Sequence, residues 1–240
     1  MGLDMGDRPI GPVVDTAPAG RPDAVRLEGR LVRIEKLDPA RHGDALWQAV
    51  KGHDELWTYM GYGPFADGAS FVQWLDERTV LLDPYSYAVV DAKSGRAAGI
   101  VTLMEIRPSM RVVEIGNIVY TPALQRSGGA TEAQYLLARY VFDDLAYRRY
   151  EWKCNALNAP SIRAAGRLGF TFEGVFRQHM IVKGRNRDTA WFSIIDSEWP
   201  ARKAAFERWL DPANFDQEGR QKTSLSTLNA AAADSYNIGR

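Results

Sequence analysis

The sequence predicts a mixed α/β fold in which helices cover both faces of a central sheet. Residues 112–120 are rich in β-branched side chains, end before Pro122 and lead through small residues into a helical pattern. The apolar face of that helix consists of Ala133, Leu136, Leu137, Tyr140, Val141 and Leu145. A second pair follows, because a β-rich run at 149–156 precedes a short helix that ends at Gly169.

The remaining elements complete one domain, expected at residues 23–210. The predicted strands are 27–34, 85–91, 98–104, 175–182 and 189–195, and the predicted helices are 42–50, 69–82 and 199–210. Residues 1–22 are dense in Gly and Pro, so we expect a flexible or surface-draped arm. Residues 211–240 form a polar tail, expected to be mobile or an oligomer contact.

The composition excludes several classes of protein. Thirty basic residues balance thirty acidic ones, which argues against a general nucleic-acid or anionic-membrane surface. No apolar run reaches membrane-spanning length and no export signal is visible. A single cysteine excludes an internal disulfide, and three dispersed histidines disfavour a metal site. We therefore expect a cytoplasmic protein with no nucleic-acid, membrane or metal partner.

The turn at residues 125–130 is the most informative segment. Small residues between a strand and a helix present free backbone N–H groups at the positive end of the helix dipole, where phosphate oxygens bind well. The alternative is a plain tight turn at Ser127, Gly128 and Gly129, with Thr131 as the N-cap. No Gly-Lys-Ser/Thr follows, and the three glycines of a dinucleotide fingerprint are absent.

Two motifs resemble those of the GNAT acyltransferases, in particular the RimJ/RimL-like branch. Gln125, Gly128 and Ala130 match the Gln/Arg-x-x-Gly-x-Gly/Ala turn of that family. Asn158, and then Gly169-Phe170, match its second motif, although a well-capped helix would explain half of that pattern. Order and spacing agree with the family over residues 112–170.

The resemblance implies an acetyl-CoA-dependent N-acetyltransferase with a GNAT-like fold, whose twisted mixed sheet splays at the cofactor site. The acetyl group would pass directly to a primary amine in a ternary complex, without a metal. Backbone groups near residues 118–120 would hold the pantetheine arm, and the turn amides would hold the pyrophosphate. The implied cofactor-binding residues are Ile118, Val119, Tyr120, Gln125, Arg126, Ser127, Gly128, Gly129, Ala130, Thr131, Asn158 and Ser161.

The resemblance also implies which residues carry out the transfer. Many family members use a tyrosine where this chain has Ala165, whereas the RimJ/RimL-like branch has a serine at the Ser161 position. We expect Ser161 to protonate or hydrogen-bond the leaving thiolate, with N-capping as the alternative role. Asn158 would orient the pantetheine or Ser161.

The base that accepts the amine proton is expected to be a carboxylate. Glu114 is the first candidate, acting through water, and its alternative role is a strand carboxylate paired with a lysine or arginine. Glu105 and Asp188 are reserves, because strand register decides which side chains face the cleft. Cys154 is expected to be a buried structural cysteine, with a thiol close to coenzyme A as the alternative.

The acceptor site is expected at the aromatic segment 56–65. Trp57, Tyr59, Tyr62 and Phe65 would wall it, although core packing explains one or two of them. The acceptor could be a protein N-terminus or a small-molecule amine, and a homodimer is left open. Two other functions compete: an inactive module that binds coenzyme A as a sensor or scaffold, and an unrelated nucleotide-binding domain.

Overall fold

The computed structural model describes residues 9–237 and shows a single sheet flanked by helices. The strands are β1 Arg26–Glu28, β2 Val32–Lys36, β3 Tyr85–Asp91, β4 Ala97–Arg107, β5 Val112–Tyr120, β6 Arg149–Asn155, β7 Thr171–Val182 and β8 Arg185–Ile195. The helices are α1 Pro39–Val50, α2 Gly68–Thr79, α3 Gly128–Arg139, α4 Ala159–Arg167, α5 Trp199–Leu210 and α6 Leu225–Asn237.

The sheet is mixed, with strand order β1-β2-β3-β4-β5-β6-β8-β7. Every neighbouring pair is antiparallel except β5 and β6, which are parallel. Helices α1 and α2 cover one face in an apolar cluster with Ile100 and Val119. Helices α3 and α5 cover the other face in a cluster with Val113 and Tyr150. The predicted fold class, a mixed sheet with helices on both faces, is confirmed.

The strand predicted at 27–34 is instead two strands, β1 and β2, joined by a turn. The Gly29 amide donates to the carbonyl of Val32 at 2.9 Å and closes the turn. The buried carboxylate of Glu132 on α3 accepts from the amides of Arg30, Leu31 and Val32 at 3.0, 2.6 and 2.8 Å. A contact with a residue 100 positions away therefore sets this turn, and local β propensity does not reveal it.

Helix α3 begins one turn earlier than the apolar pattern indicates. The hydroxyl of Ser127 accepts from the Ala130 amide at 3.1 Å, so the N-cap is Ser127 and not Thr131, which the alternative interpretation of the turn placed in that role. At its other end, α3 continues into a π-helical turn, Tyr140–Asp144. The Leu145 amide donates to the Tyr140 carbonyl at the end of this turn.

The two ends of the chain pack differently from each other. Residues 1–8 of the expected arm lie outside the described residues, and residues 9–22 are irregular and mostly exposed. Their inner end is held by the amides of Ala19 and Gly20, which donate to the carbonyls of Pro108 and Leu145. In the expected polar tail, Leu225 and Leu228 of α6 enter the core beside α5, so this part of the tail is packed. Only a few large apolar residues lie on α6, so its sequence shows little helical periodicity.

Within residues 9–237, no helix has the length and apolar character needed to cross a bilayer.

Replacing Glu132 with alanine tests the anchor between α3 and the β1–β2 turn. The substitution leaves three backbone amides without their charged acceptor, and we expect the free energy of unfolding to fall by about 2–4 kcal/mol. Urea denaturation followed by circular dichroism measures this. The exposed Glu218 provides the control, because Glu218→Ala should change stability by less than about 0.5 kcal/mol. An equal effect of the two substitutions would contradict the anchoring role.

Candidate active site

The parallel strands β5 and β6 separate halfway along their length. Their pairing runs from Val112 opposite Arg149 to Ile115 opposite Trp152 and then stops. Beyond that point β5 stays paired with β4 as far as Tyr120, and β6 stays paired with β8 as far as Asn155. Each strand therefore has a stable partner on its outer side and a free edge on its inner side. The two free edges bound an opening in the sheet.

A bulge in β5 lies at the start of this opening. Between the pairs Thr102–Gly116 and Ile100–Val119, β5 has one residue more than β4. Asn117, with φ of 47°, accommodates the bulge, and asparagine tolerates this left-handed conformation better than most residues do. Bulges bend and twist the strand that carries them. The bulge thus helps to turn residues 117–120 away from β6.

The turn before α3 contributes free backbone donors next to the opening. The Ser127 amide donates to the Leu124 carbonyl, and the Ala130 amide donates to the Ser127 hydroxyl. Thr131, the fourth helical residue, makes the first intrahelical bond. Among the residues that the structure describes, the amides of Arg126, Gly128 and Gly129 have no protein partner. Three of the predicted amides are therefore available to an anion.

The two glycines of the turn also allow close packing. A Cβ atom at Gly128 would lie 2.8 Å from Leu31 Cδ1, and one at Gly129 would lie 2.8 Å from Val32 Cγ1. A larger residue at either position would therefore disturb the packing of α3 against β2 and the turn before it, as well as any bound ligand. Substitutions of these glycines cannot separate binding from packing.

Gln125 is folded back onto β5. Its amide nitrogen donates to the Tyr120 carbonyl at 2.9 Å, so the structure turns this side chain toward the end of the free edge. The Tyr120 hydroxyl accepts from Gln134 Nε2 at 2.6 Å, and burial raises the pKa of Tyr120 well above its usual value. These contacts fix the last residues of β5, which we expected to bind the pantetheine.

Ser161 lies at the other side of the opening, on the first turn of α4. Trp152 Nε1 on β6 donates to Ser161 Oγ at 3.0 Å, so the serine O–H acts as a donor, and in this structure its partner is the Cys154 thiol. The N-cap of α4 is Asn158, whose side-chain oxygen accepts from the Ser161 amide at 3.2 Å. N-capping thus belongs to Asn158, and the Ser161 hydroxyl is not needed for it.

Cys154 is buried beside Ser161. Burial raises the pKa of the Cys154 thiol, while a hydrogen bond from Ser161 lowers it by a smaller amount. The thiol is thus kept protonated, as in a structural cysteine.

Glu114 lies on the opposite face of the sheet from Ser161. Val113 and Ile115 face the α3 core, and alternation along the strand therefore turns Glu114 to the α1–α2 face. Its carboxylate pairs with Lys153 Nζ at 2.9 Å, and Lys153 also pairs with Glu151 at 3.0 Å. Burial raises the pKa of Glu114, and the Lys153 charge offsets part of that rise. Glu114 is therefore both paired, as the alternative role requires, and more basic than an exposed glutamate.

The two reserve carboxylates lie in surroundings different from those of Glu114. Glu105 is exposed, with φ of 50°. Asp188 accepts from the Gln178 amide at 2.7 Å and from Asn186 Nδ2 at 2.9 Å, and these hydrogen bonds lower its pKa. Glu114 therefore stays the first candidate for the base, as a prediction.

The aromatic segment between α1 and α2 divides into core and surface parts. The Trp57 side chain is 2% exposed and packs edge-on against Phe65, Phe71 and Trp74. We therefore assign the Trp57 ring to core packing, in place of the acceptor contact expected from the sequence. Phe65 is half-buried in the same cluster. Tyr59 remains half-exposed and donates from its hydroxyl to the Leu157 carbonyl at 3.1 Å.

The β7–β8 hairpin closes over this segment. Lys183 Nζ donates to the Trp57 carbonyl at 2.9 Å. The rings of Phe176 and Trp191 pack in a tilted arrangement with centroids 4.5 Å apart, and Lys153 Nζ lies 4.1 Å from the Trp191 ring centre. Glu114, Lys153 and these aromatic rings therefore share the α1–α2 side of the opening.

Sequence reasoning missed two contacts of this site, those of Trp152 and Lys153. Both residues lie in the predicted strand 149–156. The alternation of side chains along a strand predicts that they lie on opposite faces of the sheet, but it does not predict which residues they contact. Parallel pairing of β5 with β6 brings Lys153 to Glu114 and is a tertiary feature. Within the described chain, His, Cys, Asp and Glu side chains form no group that could hold a metal ion.

Comparison with known proteins identifies the fold and the family together. The family model described as "Acetyltransferase (GNAT) domain" matches residues 32–171, more than half of the chain. The chain belongs to the GNAT family of acetyltransferases. The matched region contains the opening, the turn before α3, and α4.

Individual GNAT relatives agree with this assignment. A GCN5-related N-acetyltransferase from Brucella melitensis is 50% identical, with a TM-score of 0.87, covering 89% of this chain and 98% of that one. The uncharacterized N-acetyltransferase p20 of Bacillus licheniformis is 26% identical over 60% of this chain and 83% of its own length. The ribosomal-protein-S5-alanine acetyltransferase of Vibrio fischeri shares the fold at a TM-score of 0.59, with 18% identity, covering 73% of this chain and 98% of that one. The family predicted from the sequence is confirmed, and its members similar to this chain include the putative ribosomal N-acetyltransferase YdaF of Bacillus subtilis, 28% identical over 45% of this chain and 59% of its own length.

Replacing Lys153 with methionine tests the electrostatics of Glu114. Removing the Lys153 charge leaves only the effects that raise the pKa of Glu114, chiefly burial, and we expect this pKa to rise further. A carbon-detected NMR titration of the glutamate carboxyls measures the shift. Because the folded pKa lies above the unfolded value, the contribution of Glu114 to stability falls as pH rises through the folded pKa. Lys203→Met, which breaks a surface pair with Asp143, should leave Glu114 unchanged. A lowered Glu114 pKa in Lys153→Met would contradict this account.

Proposed function

We propose that the protein is an acetyl-CoA-dependent N-acetyltransferase that transfers the acetyl group directly to a primary amine in a ternary complex. The observation that carries this proposal is the opening between β5 and β6, with free turn amides beside one end. An extended ligand with an anionic end and an amide-bearing arm matches that combination. Acetyl-CoA has both parts.

The cofactor would lie along the free edge of β5. Backbone groups of Ile118, Val119 and Tyr120 would pair with the amides of the pantetheine arm, as an added strand would. The amides of Arg126, Gly128 and Gly129 would bind the pyrophosphate at the positive end of α3. The thioester would then lie near Ser161, and an N–H group of β5 would polarise its carbonyl.

The reaction would draw on both faces of the sheet. The amine nitrogen attacks the thioester carbon, a C–N bond forms, and the C–S bond then breaks. The proton of the attacking amine passes to Glu114, directly or through one water. The Ser161 hydroxyl would turn from Cys154 to donate a hydrogen bond to the leaving thiolate. The thiolate would then receive a proton through this hydroxyl, which solvent would reprotonate. Donor and acceptor thus approach the opening from opposite faces.

Two acceptor classes fit the α1–α2 side of the opening. A protein N-terminus is supported by the structural likeness to the ribosomal-protein-S5-alanine acetyltransferase. A small-molecule amine is supported by the closed position of the hairpin, which Lys183 ties to the Trp57 carbonyl. Tyr59 and the half-buried Phe65 are the residues of the aromatic segment that we retain as acceptor contacts.

Calorimetry with acetyl-CoA, with ADP as the control ligand, tests the cofactor assignment. We expect acetyl-CoA to bind much more tightly than ADP, because only acetyl-CoA fills the opening. In an amide NMR spectrum, the largest shifts should occur at Arg126, Gly128, Gly129 and residues 117–120. Shifts confined to other parts of the chain would contradict the proposed binding mode.

A thiol-release assay across peptides and small amines then tests transfer itself. Release that depends on an added amine would support an N-acetyltransferase and identify the acceptor class. Tight acetyl-CoA binding without release for any amine would instead support a coenzyme A sensor or scaffold.

Replacing Ser161 with alanine tests the role of the hydroxyl in transfer. We expect kcat to fall roughly tenfold or more, since the leaving thiolate loses its donor, with little change in acetyl-CoA affinity. The Asn158 cap remains in place, but the buried Trp152 N–H loses its acceptor, so we expect the free energy of unfolding to fall by about 1–3 kcal/mol. Steady-state kinetics with the best amine measures the effect. Wild-type kcat in Ser161→Ala would remove the hydroxyl from the mechanism.

A further inference from the structure

The β7–β8 hairpin carries an excess of positive charge near its tip. Residues 177–188 contain a single carboxylate, that of Asp188, and four cationic side chains, all of them exposed or half-buried. The cations are Arg177, Lys183, Arg185 and Arg187. The whole chain has equal numbers of basic and acidic residues, so the imbalance is a property of this hairpin.

Two of the cations lie in a row on the α1–α2 side of β8. Trp191 lies on that side, because its ring packs against Lys153 Nζ. Every second residue of a strand lies on the same face, so Thr189, Arg187 and Arg185 follow Trp191 toward the tip. Arg187 Nε donates to Thr189 Oγ1 at 3.2 Å, as expected for two side chains on one face.

Asp188 does not neutralise this row. Alternation along β8 places its side chain on the opposite face of the strand from Arg187. There it accepts hydrogen bonds from the Gln178 amide at 2.7 Å and from Asn186 Nδ2 at 2.9 Å. The hairpin therefore presents the charge of its two aligned arginines to the α1–α2 side.

The row runs from the candidate base to the tip of the hairpin. At its inner end, Trp191 contacts Lys153, which pairs with Glu114. At the tip, Lys183 Nζ donates to the Trp57 carbonyl of the aromatic segment at 2.9 Å. The row thus lies along the side from which an acceptor amine would approach Glu114.

We propose that Arg185 and Arg187 bind acidic side chains of a protein acceptor and thereby select N-termini that an acidic segment follows. The inference rests on the proposed function and narrows its acceptor to a polypeptide. Because a strand rises about 3.3 Å per residue, Arg187 lies about 13 Å and Arg185 about 20 Å from Trp191. An extended acceptor that runs along β8 rises by a similar amount, so roughly its residues 4–7 pass the two arginines.

Arginine at these positions suits carboxylate recognition. Its planar guanidinium can donate two parallel N–H groups to the two oxygens of one carboxylate. In Arg187, Nε is engaged with the fully buried Thr189, which holds the side chain in place and leaves the Nη groups to meet the acceptor. Single exposed ion pairs contribute little, so the selectivity depends on two arginines that act on neighbouring acceptor residues.

Three peptides of equal length with the same first residue test the selectivity. The first carries glutamates at roughly residues 4–7, the second carries the same glutamates beyond this window, and the third carries glutamines within it. We expect the wild-type kcat/KM to be roughly tenfold higher for the first peptide than for the other two, through a lower KM. Added salt should reduce this preference, because exposed charges are screened.

The double variant Arg185→Gln plus Arg187→Gln should bring the preference below about twofold, with kinetics on the glutamine peptide unchanged. Arg185→Gln alone, which leaves the contact with Thr189 intact, should lose part of the preference. The control is Arg208→Gln plus Arg220→Gln, which makes the same change in net charge at two exposed arginines of the C-terminal segment. This control should retain the full preference.

Fluorescence anisotropy of the labelled peptides measures the same selectivity without acetyl transfer. Equal rates and affinities for the three peptides, or a preference that the double variant retains, would overturn the inference. Tight binding of a single-stranded RNA that the double variant loses would also overturn it, by assigning the two arginines to nucleic acid. Absence of acetyl-CoA binding, or of thiol release with every amine, would instead refute the proposed function.

Discussion

The early end of pairing between β5 and β6 is the constraint on which the candidate site depends. Leaving strand edges unpaired inside a sheet costs free energy unless another group satisfies their N–H and C=O groups. The protein holds the two edges apart because each strand is paired on its outer side, β5 with β4 and β6 with β8. The bulge at Asn117 adds twist at the same level. An opening of this kind, maintained by its outer partners, is a preformed binding site for an extended ligand.

Polar groups are distributed unequally between the two faces of the opening. On the α3 side, Ser161 and Trp152 form a small hydrogen-bonded pair in otherwise apolar surroundings. On the α1–α2 side, Glu114, Lys153 and Glu151 form an ion-pair network that continues through Arg107 and Arg149. In the proposed reaction, the thiol group would lie on the α3 side of the sheet and the amine on the α1–α2 side. Alternation of side chains along β5 and β6 is sufficient to produce it.

Much of the fold could be predicted because local signals and tertiary structure agree. The strands β3 and β5 and the helix α5 lie where periodicity placed them, and the motif at Asn158 and Gly169 bounds α4 as expected. The division of β1 from β2 could not be predicted, because it depends on the distant carboxylate of Glu132. The packing of α6 was likewise hidden, since only a few of its residues, among them Leu225 and Leu228, enter the core. At the site, Glu114 and Ser161 could be identified from the sequence as candidate catalytic residues. Their contacts could not be predicted, because these depend on the register of the strands.

A crystal structure of the protein with coenzyme A tests the central claim most directly. The account predicts that the pantetheine arm lies between β5 and β6, paired with residues 118–120, with its sulfur near Ser161. A molecule of coenzyme A bound elsewhere, such as the cleft lined by Arg177, Asn186 and Asp188, would contradict it.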